Sequence, residues 1–112
     1  MKRFQTYMNR AINLDAARNE TLLSSLGIEA RYVPEQLEEF DEMEFGLGHW
    51  RNTRIIFTLV FENGNLKRIS LGWIPQGGEE DDMRAFSEPD LAAILNEKGE
   101  TLARFLDSVT LP

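Results

Sequence analysis

An α+β domain, with an antiparallel sheet of about four strands packed by an N-terminal and a C-terminal amphipathic helix, is what this sequence predicts. Three observations carry that expectation. The stretch from Thr53 to Ile74, TRIIFTLVFENGNLKRISLGWI, holds two alternating apolar runs joined across Asn63-Gly64, the pattern of a β-hairpin. Apolar residues recur at helical spacing from Lys2 to Leu26 and again from Leu91 to Val109. Neighbouring strands with short connections pair antiparallel, and both helical stripes must then be buried on the sheet's apolar face.

In the N-terminal region Phe4, Met8, Ile12, Ala16, Leu23 and Leu26 form the stripe, widened by Tyr7, Ala11 and Leu22. Asn19 falls on that stripe. It is either a buried exception or, like Asp15, a candidate cap for a second, shorter helix after a break near Asn13-Leu14, and a break is the favoured reading. Gly27 suits a left-handed C′ position, from which Ile28 folds back on Leu23.

Next, Ile28, Ala30 and Tyr32 alternate with Glu29, Arg31 and Val33 in a short strand ended by Pro34. The spacing of Leu37, Phe40 and Met43 predicts one or two helical turns from Glu35 to about Phe40. Alternation of Met43, Phe45 and Leu47 then predicts a strand into Trp50, with Gly46 and Gly48 marking a bulge or a close backbone approach.

The hairpin has two candidate registers. A two-residue turn at Asn63-Gly64 pairs Phe61 with Leu66 and sets the two apolar runs on opposite faces. A three-residue loop, Glu62 to Gly64, pairs Phe57 with Ile69, Ile55 with Leu71 and Thr53 with Trp73. The second is preferred, because one face then collects Ile55, Phe57, Leu59, Ile69, Leu71 and Trp73. The opposite face is mixed: Arg54, Ile56, Thr58 and Val60 beside Leu66, Arg68, Ser70 and Gly72. After it, IPQGGEEDDM reads as a flexible loop. Ser87, Pro89 and Asp90 then open the C-terminal helix, and Phe86 and Leu91 staple it. The stripe stays in phase across Gly99, which favours one helix throughout.

A length of 112 residues is one domain, with 42% hydrophobic and 28% charged residues. There is no continuous apolar span, no secretory pattern at the N-terminus and no cysteine, so a cytoplasmic protein without membrane contact, disulfides or thiolate chemistry is expected. Net charge is −7, from 19 acids and 12 bases, which argues against direct nucleic-acid binding and points to a basic partner. Ten of the acids cluster in two windows, Glu35 to Glu44 and Glu79 to Asp82.

His49, in GLGHWRN, is the lone histidine and the one plausible general base, but the favoured reading of the heptapeptide is a turn before a strand, and no nucleophile motif accompanies it. No metal site and no cofactor are expected, since the Glu79 to Asp82 run lacks the ligand spacing of a calcium loop. The other acidic window interleaves Leu37, Phe40 and Met43 with six acids and no base. It suits a carboxylate rim around an apolar anchor; the plainer readings are a solvated surface helix, or acids that neutralise Arg54 and Arg68.

Two functions follow as expectations. In the first the protein is a non-catalytic binding module, such as an inhibitor, immunity protein or chaperone-like adaptor. Phe40 is then the anchor, and Glu38, Glu39, Asp41 and Glu42 engage a basic protein surface. In the second, a curved sheet closed by the N-terminal helix, as in cystatin-like or NTF2-like cones, binds a small molecule near His49, Trp50, Arg54, Arg68 and Trp73. A homodimer through the hairpin's second face is a further expectation, as a way to bury Ile56, Val60 and Leu66.

Overall fold

Asn63 (φ 51°) and Gly64 (φ 81°) both take left-handed backbone, as a type I′ turn requires, and across them Glu62 pairs with Asn65 and Phe61 with Leu66. The computed structural model, in which residues 2–112 are described, therefore forms the two-residue turn and not the expected three-residue loop. The register then shifts. Val60 pairs with Arg68, leaving Lys67 as the extra residue of a β-bulge. Beyond it Leu59 faces Ile69, Phe57 faces Leu71 and Ile55 faces Trp73. The expected apolar face is thus assembled by a different route, with every expected pair displaced by two residues. Leu66, placed on the mixed face by sequence, lies on the turn side of the bulge and is buried in the core.

These two strands, β3 (Thr53–Glu62) and β4 (Asn65–Ile74), sit inside a five-stranded antiparallel meander with β1 (Glu29–Tyr32), β2 (Phe40–Trp50) and β5 (Arg84–Ala85), in the order β1-β2-β3-β4-β5. β2 shifts register between Gly46 and His49, where Gly48 (φ 86°) bulges as its sequence suggested. The helical turns expected from Glu35 to Phe40 do not form. Asp41 accepts hydrogen bonds from the backbone N–H groups of Glu38 (3.4 Å) and Glu42 (3.1 Å), and pairing of Phe40 with Glu62 starts β2 there. A 3-10 turn at Glu80–Asp82 lies within the expected flexible loop, and β5, just beyond it, is tied to β4 by the Trp73 indole N–H, which donates to the Ala85 carbonyl (3.1 Å).

The N-terminal amphipathic helix is replaced by short pieces: a 3-10 helix at Lys2–Tyr7, α1 (Leu14–Ala17) and α2 (Glu20–Ser25). Asn13 and Asn19 each cap one of them, accepting from the N–H of Ala16 (3.1 Å) and of Leu22 (3.0 Å). Between the pieces the chain is extended and straps the hairpin tip. Leu66 receives the Asn9 N–H (2.7 Å) and donates to Arg10 (2.9 Å), while the Asn13 N–H reaches the Val109 carbonyl (2.6 Å). Helix propensity loses here because these backbone groups satisfy an otherwise open strand end and helix end.

α3 (Glu88–Val109) runs unbroken from its Ser87 cap. Gly99 is buried because the Arg3 guanidinium crosses the helix against it and donates to the Leu95 carbonyl (2.9 Å). The helix presses Phe105 onto Phe45 and Phe57, centroids 4.8 and 5.3 Å away, and one core runs from Phe4 to Val109.

Within that core the Tyr7 hydroxyl donates to Asp107 (2.7 Å). Burial first, then the Asp107 hydrogen bond and charge, hold the phenol above its ordinary value against the opposing Arg10. The folded state therefore keeps this proton longer than the unfolded chain. Its contribution is complete below the unfolded value near 10 and is lost as pH rises through the folded one. Tyr7→Phe is expected to cost about 1 kcal/mol at neutral pH and to flatten the alkaline decline in stability. Denaturant unfolding measured across pH 10 checks this, and equal alkaline slopes in both proteins would contradict it.

Candidate functional site

The period of two along each strand gives the sheet a second face, opposite the helices. Its rows, taken from β2 to β4, are Glu42-Val60-Arg68, Glu44-Thr58-Ser70 and Gly46-Ile56-Gly72, with Phe40 and Glu62 beyond the first. At one end this face is already closed. The 75–79 loop folds over Ile74, and Arg54 donates from Nη2 to the Gly78 carbonyl (2.9 Å). Ile56 is also buried, in a narrow depression with Arg31 and Arg54. Of the three residues expected to need a subunit to bury them, Ile56 and Leu66 are therefore covered within the chain, and Val60 is left half-buried.

The other end is open. Among the described residues four large hydrophobic side chains are exposed, and three lie on this face: Phe40 (66%), Tyr32 (54%) and Met83 (44%). Phe40 and Tyr32 line one shallow depression with Val60, Asp41 and Glu42. Met83 lies across Gly72, so close that a Cβ there would meet its Cγ at 3.0 Å. Glu38 and Glu39 are exposed in the loop before Phe40, and Glu42 is exposed beside it on the face. Asp41 differs from its neighbours, because its carboxylate is turned to the backbone of Glu38 and Glu42 and shapes the loop. Neither Arg54 nor Arg68 is neutralised by the acidic window. Arg31 is what pairs with Glu44 (2.9 Å), while Arg68 is exposed with no ion pair among the described residues.

Tyr32 and Met83 are the residues that sequence reasoning left out of the site, whereas Val60 was already expected on this face. In sequence Tyr32 shares a period with Ile28 and Ala30, which reads as one apolar side. The register shift at Arg31, between the pairs Ala30-Phe45 and Tyr32-Glu44, turns Tyr32 onto the open face. No local signal announces that bulge.

The residues of the small-molecule alternative do not converge. His49 and Arg54 line a cavity of about 220 Å³ with Asn52, Gln76 and Gly77. Trp50 and Trp73 are elsewhere, gathered around Phe86 at 6.0 and 6.4 Å, with Arg51 stacked 4.1 Å over Trp50 and Arg84 5.4 Å over Trp73. Arg68 is in neither group. Among the described residues no carboxylate hydrogen-bonds to His49, no acid or histidine cluster could hold a metal, and no helix is long and apolar enough to cross a membrane. No protein-family model, curated protein or solved structure matches the chain.

Proposed function

We propose that the protein is a non-catalytic protein-binding module that engages a basic protein surface through the acid-rimmed aromatic end of its open sheet face. The observation that carries this reading is the pair Phe40 and Tyr32, held two-thirds and one-half exposed in one depression with Glu42, next to the loop that exposes Glu38 and Glu39. A folded chain gains nothing by leaving two rings in water, whereas a partner that covers them gains roughly 25 cal/mol per Å² of apolar surface removed from water. The surrounding carboxylates set which partner arrives, because they speed encounter with a basic surface and repel an acidic one.

Phe40→Ala should abolish binding through loss of the anchor. Reversing Glu38, Glu39 and Glu42 to lysine should abolish it through charge, with wild-type binding weakening as salt rises. Affinity capture followed by identification and titration of the captured protein checks both. Salt-insensitive capture that survives the three reversals would overturn the reading.

A further inference from the structure

We infer that the basic surface fitting this face is its own: two copies associate face to face about a twofold axis running along β3, with Glu42 of each opposite Arg68 of the other. The inference rests on the protein-binding reading and names the partner. Its basis is the symmetry of the rows about the central strand. Glu42-Val60-Arg68 places acid on the β2 side and base on the β4 side, with an aliphatic residue between. A second copy turned over about β3 lays its β4 on the first copy's β2. Each Glu42 then meets an Arg68, and Val60 meets Val60. The same rotation sets Glu44 over Ser70 and Thr58 over Thr58, so no like charges oppose one another in these two rows; the row beyond them, Phe40-Glu62-Asn65, sets Glu62 over Glu62 at the rim.

Within one chain these charges do not meet. Glu42 and Arg68 stand two strands apart, about 10 Å at the usual strand spacing, and neither side chain has an ion pair among the described residues. Stacked sheets lie about 10 Å apart, a gap that a glutamate and an arginine reaching toward each other can close. Two of the three exposed apolar groups on this face are matched by the same operation, while Phe40 is carried over Asn65. Tyr32, level with Glu44 on β1, is carried toward Met83 of the second copy, which lies beside Ser70 and Gly72, and an aromatic ring next to a thioether is a favourable contact. Four strands over the open rows from Phe40 to Glu44 cover roughly 300 Å² per copy, well below the roughly 800 Å² of a standard interface. A weak dimer that forms and dissociates in the upper micromolar range is therefore expected.

Sedimentation of the full chain across that range tests it. Wild type should pass from monomer to dimer with rising concentration, and salt should move the transition to higher concentration. Glu42→Arg alone and Arg68→Glu alone should each abolish the dimer, since both place like charges opposite at two symmetric positions. The double swap Glu42→Arg with Arg68→Glu should restore it. A wild type that stays monomeric, or single swaps that dimerise as wild type does, would overturn the inference. A monomer that still captures another basic protein in a Phe40-dependent, salt-sensitive way overturns the dimer and leaves the binding reading standing. A monomer that captures nothing overturns both.

Discussion

Deleting Lys67 and Arg68 together is expected to unfold the domain, whereas deleting Lys67 alone is expected to leave it folded. Lys67 is the extra residue between Leu66 and Arg68, its side chain exposed and donating from Nζ to Asn9 (2.8 Å). Removing it alone closes the bulge and keeps Arg68 opposite Val60, Ile69 opposite Leu59 and Leu71 opposite Phe57. Removing Arg68 as well sets Ile69 opposite Val60, so that Ile69, Leu71 and Trp73 face away from the helices while Ser70 and Gly72 face the core. Each large apolar side chain is worth roughly 1.5–3 kcal/mol of burial, so three of them amount to most of a typical domain's 5–15 kcal/mol. Lys67→Ala keeps the residue count and is expected to change stability by less than about 1 kcal/mol. Denaturant unfolding of the three variants separates residue count from side chain. A double deletion that folds with near-wild-type stability, or a single deletion that unfolds, would show that the register is not set by the number of residues between Leu66 and Ile69.

Phe105→Ala is expected to cost about 3–5 kcal/mol, because the ring is fully buried and packs on both Phe45 and Phe57 across the helix-sheet interface. For a domain of this size that lowers the melting temperature by on the order of 20 °C. Phe40→Ala is the matched control. It removes the same ring from a site that is two-thirds exposed, and should leave stability within about 0.5 kcal/mol while removing binding. Calorimetry on the two variants reads the difference directly. Equal destabilisation by both would mean that Phe40 serves the fold, and the binding reading would lose its anchor.

Much of this was legible along the chain. The α+β class, the hairpin, the Gly27 cap, the Ser87 cap and the uninterrupted C-terminal helix all rest on contacts within a few residues, which is where periodicity and capping rules apply. The failures share a cause. Residues 9–13 leave the helical pattern because the hairpin tip and the end of α3 offer their backbone better partners. Residues 35–40 leave it because β3 recruits Phe40 as a strand pair. Each is a tertiary contact overriding a local preference.

Phe40 and its acids stood out in the sequence as an anchor with a rim, because an aromatic residue among six carboxylates is visible without a structure. What they stand next to was not. Tyr32 joins them through a bulge at Arg31, and Met83 joins the same face by crossing Gly72 from a loop that read as flexible. Composition and alternation by themselves determined that this chain builds one sheet with an apolar side, since burying alternate residues is settled by their chemistry. Which residues share the other side was decided only by the bulges at Arg31 and Lys67. One inserted residue reverses every side chain beyond it, and its position depends on pairing between strands that no single stretch of sequence contains.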